Sequence, residues 1–191
     1  VFEHPDPSVD LCAIYIGLAF EQLERASGQF PWFYMLAPDN IASEAFMRDL
    51  VPFESVRMVG YPNGLWDTAN NAPIVRRGAL ATNPLLNYRG RPEFVVDIAC
   101  FGGSSGSPVF IADAGSYALR SGVVAMGERL ALLGILYAGP VQQQTGEIVD
   151  RPIPVASTAV FDTMINLGYV IRAAELHKID QVVRARVKAQ S

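Results

Sequence analysis

Cysteine and histidine are scarce in this chain, with two of each among 191 residues. Cys12 and Cys100 form no CxxC pair and have no metal-type spacing, so neither a metal site nor a disulfide framework is expected. Each lies in an apolar stretch and reads as a buried free thiol, which favours a reducing, cytoplasmic setting. Basic charge is short as well. Lys and Arg total 15 against 19 Asp and Glu, a net charge of -4, which argues against the basic face that a nucleic-acid partner requires. Long apolar runs are missing. Those from Leu11 to Phe20 and from Ala131 to Val141 are interrupted by glycine and fall short of the ~18 residues of a membrane-spanning helix. No basic n-region or small-residue cleavage site marks a secretory signal at the N-terminal end.

What is present is a chain half hydrophobic, with 16 glycines and 13 prolines. That mix reads as globular and loop-rich, and the length suits one domain or two small packed barrels. "SVDLCAIYIG" is rich in β-formers and predicts a strand from Val9 to Ile16. "AFEQLERASG" predicts a short helix or turn closed by glycine, and "SEAFMRDL" a helix with a serine cap. From "SVRMVGYPNG" onward, short runs such as "RMVG", "PIVRRGALAT", "FVVDIAC", "SPVFIA", "GVVA" and "LLGILYAG" alternate with turn residues, the texture of an all-β barrel or sandwich. Arg76 and Arg77 read as solvated strand ends. "GPVQQQTGEIVDRPIPV", Gly139 to Val155, predicts a long exposed loop or hairpin. In the tail, Leu176, Ile179, Val182, Val183 and Val187 fall on one helical face, predicting a C-terminal α-helix docked on the β-structure.

The chemistry concentrates in "ACFGGSSGSPVF", Ala99 to Phe110. Two catalytic patterns overlap there. Gly102 to Gly106 satisfies the G-x-S-x-G of an α/β-hydrolase elbow, with Ser104 as nucleophile, Asp150 or Asp162 as the acid and His177 as the base. Gly103 to Pro108 satisfies G-x-S-G-x-P instead, with Ser105 as nucleophile. An elbow must run from strand into helix, yet Pro108-Val109-Phe110-Ile111 is strand material, which favours Ser105.

With "VRMVGYPNGLWDTANNAPIVRRGALATNP", "FVVDIACFGGSSGSPVF", "HPDPSVDLCAI", "LLGILYAG" and "NLGYVIRAAEL", the chain resembles the trypsin-like serine proteases, specifically the bacterial trypsin-like peptidase domain. The resemblance runs from about His4 to Leu176. It implies a chymotrypsin-like double β-barrel whose first barrel is incomplete here. Residues 1–50 would be the remainder of that barrel with a helical insertion, 51–172 the second barrel with the nucleophile loop, and 173–191 the C-terminal helix. It further implies Ser105 as nucleophile and Asp10 as the carboxylate that orients the histidine, with Asp6 the nearest competitor. The amides of Gly103 and Ser105 would form the oxyanion hole, each donor worth roughly 3 kcal/mol of barrier. Tyr137, Ala138 and Gly139 would pair with the backbone of a peptide or protein substrate. No cofactor or metal is implied. Ala99 falls near the pocket base, so an acidic floor is not evident, which disfavours cleavage after Lys or Arg. Vertebrate members of the family carry an acid before the nucleophile that pairs with a freshly cut N-terminus. Ser104 stands there instead, and that activation switch is not expected.

The activating histidine is missing from its place. In the family it lies well upstream of the aspartate, whereas His4 sits on a proline-flanked turn and His177 on the terminal helix; both read as ordinary surface histidines. The base would then come from an upstream segment of the same protein or from a second chain, and this chain alone would be inactive. A pseudo-protease that holds extended peptides by strand addition is the competing expectation.

Overall fold

Pro5, Pro7 and an aspartate-serine turn fold the chain back on itself at its start. The computed structural model describes residues 1–148 and 157–189. The Asp6 carboxylate accepts both the amide and the hydroxyl of Ser8, at 2.9 and 2.7 Å, and the Val9 amide closes on the Asp6 carbonyl at 3.1 Å. A short ribbon results, pairing β1 (Phe2–Glu3) with β2 (Cys12–Ala13). The strand expected over Val9 to Ile16 is thus reduced to two residues, because among the described residues no neighbouring strand pairs with the rest. Cys12 is exposed, against the expectation of a buried thiol, since among the described residues β2 has only β1 beside it; Cys100 is buried.

Helix α1 (Gly17–Ser27) ends at Gly28, as its sequence predicts, but it buries no residue. Phe20, Phe30 and Phe33 pack on one another with ring centroids 4.9 to 5.9 Å apart, while Ile14, Tyr15, Trp32 and Met35 stand exposed. Ser43 caps α2 (Glu44–Arg48) by accepting the Phe46 amide at 3.1 Å. Ala42, Met47 and Leu50 join the core, and the Ala42 amide bonds the Leu132 carbonyl at 2.9 Å. This segment is where the N-terminal part docks.

Strands β3 (Ser55–Gly60), β4 (Ile74–Leu80), β5 (Glu93–Asp97), β6 (Pro108–Ala118) and β7 (Val124–Ala138) follow, then a ribbon of β8 (Val141–Ile148) with β9 (Ser157–Met164), and β10 (Leu167–Arg172). The antiparallel order β10-β5-β4-β3-β6-β7 closes into a six-stranded barrel, which leaves the barrel no free edge. Period-two burial in β3 turns Val56 and Met58 inward, where they meet Phe94, Val96, Val109, Ile111 and Val170, all with no exposed surface. "GVVA" and "LLGILYAG", expected as separate runs, are the two ends of the single strand β7, whose pairing with β6 carries it through the charged residues between them. The Gly139–Val155 stretch contributes β8; residues 149–155 lie outside the described residues.

After a 3-10 turn at Ala173–Glu175, helix α3 (Leu176–Lys188) packs with Ile179 buried. It holds the N-terminal ribbon. His4 Nε2 lies 3.1 Å from Glu175 Oε2, and the Arg186 guanidinium sits 5.2 Å from the Phe2 ring centre. His4 is therefore buried between ribbon and helix rather than a surface residue; His177 is exposed as expected. Among the described residues no helix is long and apolar enough to cross a membrane.

Candidate active site

The glycine-serine loop between β5 and β6 is held from two sides. The Asn63 amide donates to the Gly102 carbonyl at 2.7 Å, and the Gly106 amide donates to the Leu136 carbonyl at 2.7 Å. Internal turns are closed by Ser104 N to Phe101 O and Ser107 N to Ser104 O, both 3.1 Å. Gly103 and Gly106 take φ of +77° and +85°, which L side chains rarely adopt. The amides of Gly103 and Ser105 donate to no acceptor among the described residues, and both residues are exposed.

The three serines separate cleanly. Ser104 is 1% exposed and Ser107 4%, whereas Ser105 faces solvent. The Ser105 hydroxyl donates to the Tyr137 carbonyl at 2.9 Å. The Ser104 hydroxyl oxygen is turned inward and accepts from Arg76 Nη1 at 2.9 Å and the Phe101 amide at 3.3 Å. Strand β6 begins at Pro108. No helix follows the serines, so the α/β-hydrolase elbow with Ser104 as nucleophile is eliminated. Of its acid candidates, Asp150 lies outside the described residues.

Tyr137 and Ala138 end β7, with Gly139 next. On one side this strand end pairs with β10, Ala138 opposite Tyr169. On the other, pairing with β6 stops at Ile135 opposite Pro108, leaving the Tyr137 carbonyl to the Ser105 hydroxyl. The Tyr137 phenol donates to Glu93 Oε2 at 2.6 Å. Burial, reinforced by that carboxylate, pushes its pKa up to about 12.

Asp10 is exposed and shares a small cavity with Val9, Arg91, Glu93, Tyr137 and Ile171, placed there by the α3-anchored ribbon. Its carboxylate makes no hydrogen bond or ion pair among the described residues. Asp6, its competitor, is engaged by Ser8, whose side-chain and backbone hydrogen bonds lower the Asp6 pKa. Asp10 lines a cavity that Tyr137 also lines, and Ser105 bonds the Tyr137 backbone carbonyl, but Asp10 and Ser105 make no contact with each other among the described residues. Neither histidine belongs to this group, since His4 is held by Glu175 and His177 is exposed on α3.

No protein-family model, no curated protein and no solved structure matches this chain. The site's chemistry rests on its own geometry. Among the described residues no group of three His, Cys, Asp or Glu side chains is arranged to hold a metal ion.

Sequence reasoning missed Arg76. It was expected at a solvated strand end, and Arg77 does stand exposed, with Nε bonded to Ser55 Oγ at 2.9 Å. Arg76 points the other way, under the loop. Its Nη1 donates to the Ala99 carbonyl at 2.6 Å as well as to Ser104, while Nε and Nη2 are shut off from solvent without an acceptor among the described residues. Burial lowers its pKa and raises that of neighbouring Cys100. Strand alternation could have flagged it, because Val56, Met58 and Gly60 face inward and Met58 pairs with Arg76.

Proposed function

We propose that this chain is the larger part of a trypsin-like serine endopeptidase of chymotrypsin-like double-barrel architecture. The closed barrel is then the second barrel, and residues 1–50 belong to the first. The carrying observation is the position of Ser105, the loop's solvent-facing serine, with the amides at its own and the Gly103 position donating to no acceptor among the described residues. In this reading a histidine, supplied by an upstream segment of the same protein or by a second chain, enters between Ser105 and Asp10. It takes the Ser105 proton as the oxygen attacks the scissile carbonyl, and Asp10 holds the ring in the productive tautomer. The Gly103 and Ser105 amides receive the oxyanion. The histidine then passes its proton to the leaving amine, and water, activated by the same base, releases the acyl group from Ser105. The unpaired side of Tyr137, Ala138 and Gly139 takes the substrate backbone as an added strand. Ile14, Tyr15, Trp32 and Met35 leave apolar surface open, the last two 92% and 77% exposed.

A fluorophosphonate probe tests this on the full-length protein. Covalent labelling that disappears in Ser105→Ala is the expected result; no labelling of a folded protein carrying the histidine refutes it. A peptide-binding pseudo-protease is the second reading. It is favoured by the Ser105 hydroxyl being bonded to a carbonyl, an acceptor that cannot remove its proton. Peptide binding retained in a protein that never labels identifies it.

A further inference from the structure

Arg76 is an expensive way to fill space beneath the loop. A guanidinium with two donors shut away and unpaired is less favourable there than an apolar residue of similar length. Its position suggests what that cost achieves. One nitrogen, Nη1, holds the Ala99 carbonyl before the glycine pair and the Ser104 hydroxyl after it. The Ser104 oxygen also accepts the Phe101 amide, so residues 99, 101 and 104 converge on one hydrogen-bonded knot. The amides of Gly103 and Ser105 lie between and beside these fixed points. Two glycines with positive φ give the segment freedom to turn either way, and nothing in their own conformation selects the outward one. The planar guanidinium, presented from strand β4, holds Nη1 between its two acceptors, a task that a flexible lysine performs less rigidly.

We infer that Arg76 is the positioning residue of the nucleophile loop, bracing Ala99 and Ser104 so that the Gly103 and Ser105 amides and the Ser105 hydroxyl face the substrate. This rests on Ser105 being the nucleophile. The brace is a side chain already in place, so the loop's order needs no newly cut N-terminus.

The test compares Arg76→Met, Arg76→Lys and Ser104→Ala in the full-length protein, by fluorophosphonate labelling rate and by hydrogen exchange of the Phe101–Gly106 amides. Arg76→Met is expected to slow labelling roughly 100-fold, the scale of a displaced oxyanion donor. It should also speed loop exchange at least about tenfold, as when one or two hydrogen bonds are lost. Arg76→Lys and Ser104→Ala should fall between it and the wild type, and millimolar guanidinium should restore part of the labelling in Arg76→Met. A folded Arg76→Met or Ser104→Ala protein with wild-type labelling and wild-type loop exchange overturns the inference. If Arg76→Met does not fold, Arg76→Lys and Ser104→Ala decide. If the wild type never labels, the endopeptidase reading fails, and loop exchange alone still decides whether Arg76 braces the turn.

Discussion

Adding one methyl group at Gly103 should cost more than adding it at Gly106, although both glycines have positive φ. The backbone strain is shared: an L residue in the left-handed region costs about 1–2 kcal/mol. The surroundings differ. A Cβ on Gly106 meets nothing within 4 Å, whereas one on Gly103 lies 3.2 Å from the Tyr61 carbonyl oxygen and 3.4 Å from the Asn63 nitrogen. The Asn63 nitrogen is committed to the Gly102 carbonyl at 2.7 Å, so yielding would stretch a bond worth ~1 kcal/mol net. Gly106→Ala should therefore lose about 1–2 kcal/mol and Gly103→Ala about 2–3 kcal/mol. In a domain of this size the added loss lowers Tm by a further ~2–4 °C. Urea unfolding followed by tryptophan fluorescence, at unchanged m, measures the difference. Equal losses at the two positions, or a larger one at Gly106, refute the claim that Gly103 is needed for close approach as well as for its φ.

Arg129 is buried with Nη2 3.2 Å from Glu54 Oε1 and 2.6 Å from Asp113 Oδ2. Arg129→Met should cost about 3–5 kcal/mol by leaving both carboxylates uncompensated, and adding Glu54→Gln should recover part; urea midpoints decide, and an unchanged single variant refutes it. In the ladder joining β7 and β10, a Cβ on Gly134 would lie 2.1 Å from the Ile171 carbonyl oxygen. Gly134→Ala should lose about 4 kcal/mol or more, seen as failure of the barrel's cooperative melt, and a near-wild-type Tm contradicts this. For Tyr137, the folded pKa is raised from 10.0 to about 12, so the neutral phenol is the stabilised form. Its contribution is complete below pH ~10 and is lost as pH climbs toward about 12. Absorbance titration of tyrosinate, differenced against Tyr137→Phe, should show this late ionisation. Glu93→Gln should move it down, and a Tyr137 titrating near 10 counts against the Glu93 contact.

Local signals were legible where neighbouring residues settle the outcome. The serine cap of α2, the glycine end of α1, the alternation of β3 and the amphipathic α3 all depend on spacing within one segment. The same is true of the glycine-serine loop, where Pro108 and the apolar run after it rule out a helix. Strand β7 was less legible, since its charged middle becomes strand only through pairing with β6. Val9–Ile16 erred in the opposite direction: its β-formers had no partner strand, and propensity without pairing does not make a sheet.

The order of the residues, by itself, determined that a tight glycine turn would join two strands and carry Ser104, Ser105 and Ser107 at its tip. Only the closed barrel decided which hydroxyl faces outward, because Ser104 is drawn inward by an arginine from another strand and Ser105 is left to the end of β7. The same holds for Asp10, His4 and Arg76. Each is ordinary in its own segment, and its surroundings come from residues far away in the chain: α3 brings Glu175 to His4, the barrel brings Ala99 and Ser104 to Arg76, and the anchored ribbon sets Asp10 on the cavity with Glu93 and Tyr137.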